Sequence, residues 1–150
     1  MPESTTTRHI NAPVGDVWEI LHDFGDIQRW SAGVKASHFT SEGSVGEGAT
    51  RHCDFSPMGG VNERVDRHVP NERLTVNLYE TFKLPISSAI ADFKIETDGE
   101  GTALTIDYSY TPNLMGRLMR GQTDKQMRKG MGGVAKDLQA AAEQLAGDRT

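Results

Sequence analysis

The stretch INAPVGDVWEILHDFGDIQRW, residues 10–30, decides how the rest of the chain reads. It begins where a mostly polar, strand-like segment from Thr5 to Asn11 ends. Pro13 suits the first turn of a helix, where a missing N–H costs nothing. Val14, Val17, Trp18 and Leu21 then repeat at i, i+3, i+4 and i+7, the apolar stripe of an amphipathic helix. Phe24-Gly25 closes it, and Asp26 stands where it could cap a second short helix through Trp30. Both tryptophans, Trp18 and Trp30, therefore lie at one early helical corner.

Beyond this corner the pattern changes. Short β-leaning runs, Val34–Thr40, Ala49–Phe55, Val61–Val69, Leu74–Phe82, Ser88–Thr97 and Thr102–Tyr110, alternate with the turn clusters SEGSVGEG, SPMGG, VPNER, KLPIS and DGEG. With the first strand they make about seven, joined by hairpin-length links, which predicts an antiparallel meander. Pro112 ends the strands. Leu114, Leu118, Met127, Met131, Val134, Leu138, Ala141 and Leu145 then follow a helical stripe. A helix over 114–145 would be roughly 48 Å long at 1.5 Å per residue. Gly116, Gly121, Gly130, Gly132 and Gly133 lie within it. Each interior glycine costs about 1 kcal/mol relative to alanine, so a kink or split is open. A curved antiparallel sheet needs a cover for its inner face, and the terminal helix supplies one. The expected class is α+β, one domain over residues 1–150.

Composition narrows the function. The net charge of −5 argues against a nucleic-acid partner, since phosphate binding needs clustered cations. From Leu114 to Leu145 six basic residues face three acidic ones, a segment of +3 in a chain whose remainder carries −8. A solvated helix face on an acidic body is the simplest account. Cys53 is the only cysteine, so no intrachain disulfide forms. The N-terminal MPESTTTRH lacks a signal-peptide core, and no apolar run reaches the ~18 residues of a membrane span. The expectation is a cytoplasmic protein without stable membrane insertion, a monomer or a homodimer.

The opening stretch closely resembles the start of the SRPBCC helix-grip superfamily, which includes START-like lipid carriers, birch-pollen-allergen-like proteins and polyketide cyclases/dehydrases. Ile10, Ala12-Pro13, Val17-Trp18, Leu21, Asp23-Phe24 and Trp30 carry the likeness. GEGATRH, VNERV, DGEGTALTIDYSYTP and the terminal helix follow in the order the family leads one to expect. The resemblance implies a seven-stranded antiparallel sheet gripping the C-terminal helix, with two short helices after the first strand and a cavity between sheet and helix. It implies no particular catalytic set, because members include carriers, sensors, cyclases and hydrolases. Trp18 would anchor the short helices to the sheet, and Trp30 would sit where they meet the cavity or the corner.

Strand alternation sorts the chemistry-bearing residues. Glu63 shares a face with Val61, Val65, Arg67 and Val69, and Glu80 shares one with Leu74, Val76, Leu78 and Phe82. A carboxylate in an apolar row is costly unless paired, so Glu63 and Glu80 each either form an ion pair, with Arg67 or Arg51 for example, or lie where the row turns outward near the strand end, or line a pocket. Arg51 stands among Ala49, Cys53 and Phe55, and could meet Glu63 or a ligand oxygen. His52 and Cys53, adjacent in a strand, point to opposite faces. His9, His22, His38, His52 and His68 show no close ligand spacing, and no nucleophile elbow, phosphate loop or dinucleotide fingerprint is present, so neither metal nor cofactor is expected. Met115, Met119, Met127 and Met131 form a stripe on the terminal helix that is either core or cavity wall. Leu84 and Ile86, bracketing Pro85, could make an apolar lip, with surface stickiness or ordinary loop packing as the simpler account.

Three functions fit. The first is binding of a small, largely apolar molecule (a lipid, polyketide or isoprenoid) among Trp30, Phe55, Phe93, Tyr108, Met115, Met119, Met127 and Met131, with Glu63 and Arg51 as polar contacts. The second is a cyclase/aromatase-type enzyme in which Glu63 takes a proton α to a carbonyl and Arg51 steadies the enolate oxygen. The third is a regulatory module that meets an acidic partner through the basic helix face.

Overall fold

The computed structural model describes residues 3–41, 46–56 and 58–149, with side chains omitted for residues 24–26. The middle of the SEGSVGEG turn, Pro57 of SPMGG and the side chain of Asp26 lie outside the described residues.

Seven strands form one antiparallel sheet: β1 (Glu3–Ile10), β2 (Val34–Phe39), β3 (Thr50–Phe55), β4 (Gly60–Val69), β5 (Arg73–Phe82), β6 (Ile86–Asp98) and β7 (Gly101–Pro112). Their order is β1-β7-β6-β5-β4-β3-β2, so six strands run as a meander and β1 closes on β7. Consecutive strands β1 and β2 thus occupy opposite edges, and the helical corner bridges them. In that corner α1 (Val14–His22) begins on the Pro13 carbonyl, which accepts from Asp16 N at 3.0 Å and Val17 N at 3.2 Å. A 3-10 helix, Phe24–Arg29, follows and ends on Trp30.

Alternation puts Val65, Leu74, Val76, Ala91, Phe93, Ile95, Leu104 and Ile106 on the concave face, where they are buried with Val17, Trp18 and Leu21 of α1. The convex face carries the ions: Arg73 reaches Asp92 and Lys94 reaches Asp107, each at 2.8 Å. Among the described residues four register shifts interrupt the ladders, two of them within the β4–β5 pair at Asn62/Glu63 and Val65/Arg67. Such bulges bend and twist a sheet, which a curved grip requires.

The predicted terminal helix is split. A five-residue α2 (Leu114–Leu118) stops at Met119, whose φ of −117° and ψ of 43° break the helix, and α3 (Arg120–Asp148) continues for 29 residues, about 43 Å. Gly130, Gly132 and Gly133 do not interrupt α3. Gly116 is the glycine that matters for packing: a Cβ there would lie 2.0 Å from the Pro85 carbonyl oxygen. Asn113 caps α2 by accepting from Gly116 N at 3.0 Å and donates from Nδ2 to Leu84 O at 2.7 Å. Buried Thr123 ties α3 back through Oγ1 to Gly116 O and Met119 O.

The two halves of α3 do different jobs. Its C-terminal half presses Ala135, Leu138 and Ala142, all fully buried, into the core. Polar contacts hold it there: Glu143 accepts from Asn11 N at 2.8 Å, Asp137 from Ala32 N at 2.9 Å, and Arg149 pairs with Asp16 at 3.0 Å. Small alanines let helix and sheet approach closely at that end. The N-terminal half, held off by α2 and the β5–β6 loop, leaves room beneath it.

Candidate functional site

That room is a cavity in two parts. An inner chamber of about 90 Å³ lies between the centre of the sheet and α3, lined by Arg51, Cys53, Glu63, Val76, Ala91 and Phe93 together with Ile27 of the 3-10 helix. An outer chamber of about 520 Å³ reaches the rim formed by Met58, Lys83, Leu84 and Pro85, and Thr123, Gln126, Met127 and Gly130 form its α3 wall. Val34, Phe55, Leu78, Met131 and Val134 line both, so the two are contiguous. The outer volume falls in the roughly 300–1,000 Å³ range of small-molecule sites.

The inner chamber is apolar except at one spot. Arg51 and Glu63 are cross-strand partners in β3 and β4, and Arg51 Nε donates to Glu63 Oε1 at 2.8 Å, both residues being 6 % exposed. The same oxygen accepts from Cys53 Sγ at 3.3 Å. Burial pushes the Cys53 thiol well above its ordinary range, with the neighbouring Glu63 adding to the effect and Arg51 opposing it. The thiol is therefore held protonated and is a poor nucleophile. Among the described residues no group of three or more His, Cys, Asp or Glu side chains is placed to hold a metal ion.

Of the side chains singled out from sequence, the fold gathers Arg51, Phe55, Glu63, Phe93, Met127 and Met131 around the cavity. Tyr108 is buried in the main core beside β1 and does not line either chamber. Trp30 packs between the main core and the smaller cluster of Ile27, Val34, Cys53 and Val61, also behind the wall, and its indole N–H is buried with no partner among the described residues. Trp18 is core, flanked by the rings of His22 at 6.2 Å and His68 at 5.0 Å. Met115 and Met119 stand outside, 63 % and 47 % exposed, because the break at Met119 rotates α2 away from the stripe that Met127 and Met131 continue.

Two register shifts settle which faces the charges take. The shift at Asn62/Glu63 turns Glu80 outward, opposite Asn62 on the convex face, where Asn62 Nδ2 donates to it. The second shift turns Arg67 out to solvent, so Arg51 is the residue that meets Glu63. Reasoning from alternation misses Val34, Leu78 and Val134, which carry no signal distinguishing cavity from core. In the KLPIS loop, Leu84, Pro85 and Ile86 line the outer chamber.

A family model described as polyketide cyclase/dehydrase and lipid transport matches residues 1–145. The chain belongs to this family. Solved structures share the fold at low identity. One is TTHA0849 from Thermus thermophilus, 16 % identical with a TM-score of 0.82, covering 97 % of this chain and 99 % of that one. Another is Ara h 8.0201, 10 % identical with a TM-score of 0.75, covering 94 % and 97 %. XoxI from Bacillus cereus, 17 % identical with a TM-score of 0.74, covers 99 % and 97 %. No curated protein matches the chain by sequence. The helix-grip architecture of the family is thus present in full, and its cavity is the feature on which a function can be built.

Proposed function

We propose that this protein binds a small, largely apolar molecule, of the lipid, polyketide or isoprenoid kind, with its one polar end toward Arg51 and Glu63 and its body in the outer chamber. The observation that carries the reading is the continuity of the two chambers, with an ion pair at the inner one and apolar walls beyond it. Arg51 and Glu63 already neutralise each other, so the polar end they suit is a hydroxyl or carbonyl, which can exchange hydrogen bonds without adding an unpaired buried charge. A guest that loses about 300 Å² of apolar surface gains on the order of 7 kcal/mol before association costs, and because those costs reduce the net value, the expected binding is weaker than nanomolar.

Gly130 supplies the test. It lines the outer chamber and a Cβ there meets nothing within 4 Å. Gly130→Leu should take up part of the chamber while improving helix propensity by about 1 kcal/mol. Native mass spectrometry and thermal shift with long-chain alcohols, ketones and isoprenoid alcohols should show guests that raise the melting temperature of the wild type. The variant should melt higher without a guest and respond less to one. No guest from that panel on the wild type sinks the proposal.

The Arg51–Glu63 pair also favours a second reading, a cyclase in which Glu63 abstracts a proton and Arg51 holds the developing enolate oxygen. Under it, Glu63→Gln abolishes cyclisation of a poly-keto substrate while leaving its affinity within a few-fold.

A further inference from the structure

We propose that the end of the molecule bearing the cavity mouth is a docking surface for an anionic lipid bilayer. Among the described residues, eight large apolar side chains stand exposed, and five of them, Met58, Leu114, Met115, Leu118 and Met119, sit in two neighbouring segments. The β5–β6 loop joins those segments. Next to Met58, a Cβ on Gly59 would come within 2.7 Å of Leu84 Cδ2, and on the other side Gly116 abuts Pro85. These five form one patch on the rim, and clustered exposure of this kind marks an interaction site where scattered exposure does not.

The sequence of α2 makes the point sharpest. An ordinary surface helix turns its apolar residues inward. In α2 the buried residue is Gly116, which has no side chain to bury, while Leu114 and Leu118 are 74 % and 79 % exposed. Its apolar side is turned outward, and nothing among the described residues covers it.

Charge selects the partner. Lys83, Arg117 and Arg120 are exposed between these apolar groups, and Lys125, Arg128 and Lys129 continue the series along α3. From residue 114 to residue 130 Asp124 is the one acid, in a chain otherwise rich in them. Apolar tips interleaved with cations match a surface that is anionic at the headgroups and apolar just beneath. A nucleic acid would leave the leucines and methionines in water, and a second copy would bring like charges together. Adsorption would be peripheral, since no helix among the described residues is long and apolar enough to cross a membrane. Docked this way, the rim of Met58, Lys83, Leu84 and Pro85 faces the lipid. An apolar guest, on the binding function proposed above, then passes between bilayer and cavity without crossing water. The docking itself stands without that function.

Vesicle co-sedimentation tests it, with phosphatidylcholine alone and with phosphatidylcholine containing about 30 % phosphatidylglycerol, at low and high salt. The wild type should sediment with the anionic vesicles only, and less so at high salt. Leu114→Asp/Leu118→Asp and Arg117→Glu/Arg120→Glu, all at exposed positions and checked for an unchanged melting temperature, should each lose binding at least tenfold. Gly130→Leu should keep vesicle binding, which separates docking from guest binding. Wild type that stays in the supernatant with anionic vesicles at low salt overturns the proposal. So does an aspartate double variant that binds as well as wild type, or one that merely converts a dimer to a monomer.

Discussion

Arg51 Nε and Glu63 Oε1 stand 2.8 Å apart, on directly opposed residues of β3 and β4, and both side chains are closed off from solvent. Removing one partner strands the other charge in an apolar wall. Arg51→Met or Glu63→Leu alone should cost about 3–5 kcal/mol in urea denaturation, whereas the double variant should recover most of that loss. A recovered double variant that still binds apolar guests but no longer prefers those with a hydroxyl or carbonyl would assign the pair to recognition.

Cys53 shares that Glu63 oxygen and is buried at the inner chamber. In the native protein its reaction with a thiol reagent such as DTNB should be at least a hundredfold slower than in denaturant, because both access and thiolate fraction are low. Glu63→Gln, which removes the carboxylate acceptor but keeps the shape, should leave the thiol buried and still slow. A fast native reaction would show that the inner chamber opens readily.

Gly116 lets α2 sit on Pro85, and the space for a methyl group does not exist there. Gly116→Ala should therefore destabilise by roughly 1–3 kcal/mol despite its better helix propensity. The same change at Gly121, where a Cβ meets nothing within 4 Å, should be neutral or stabilising. Thermal melts of the two variants side by side check this.

On the convex face His52 lies between two acceptors, Asn62 Oδ1 at 2.7 Å from Nδ1 and Asp54 Oδ1 at 2.9 Å from Nε2. These bonds, Asn62 first and Asp54 second, raise its pKa above 6.5 against a small effect of burial. A raised folded value stabilises fully below pH 6.5 and fades as pH rises through it. Since the site is open to water, the melting-temperature gap between wild type and His52→Gln should shrink by only about 1–2 °C between about pH 5.5 and about pH 8.5.

Asp92 behaves in the opposite sense. Burial would raise its pKa, but bonds from Arg73 and Thr75 outweigh that and hold it below 3.8. A lowered folded value stabilises above the ordinary range and is lost as pH falls through it. Asp92→Asn should thus be less stable than wild type at about pH 7, and the gap should close below about pH 3.8 in acid melts.

Local pattern alone determined the element order: a helix launched from Pro13, six β runs parted by turn clusters, and a terminal helical stripe. Side-chain periodicity and turn chemistry act within a few residues, so they are readable without knowing what lies opposite. The sequence also showed that Glu63 and Arg51 were charges in apolar rows, and that a partner was required. Which partner, and which face, were decisions of the tertiary structure. One register shift turned Glu80 outward, another put Arg67 in solvent, and the break at Met119 carried Met115 and Met119 out of the wall. Each depends on how one element pairs with or rests on another far away in the chain. The cavity depends on the same thing, because it is the gap left where Ala135 and Ala142 draw one half of α3 to the sheet while α2, seated on Pro85, holds the other half away.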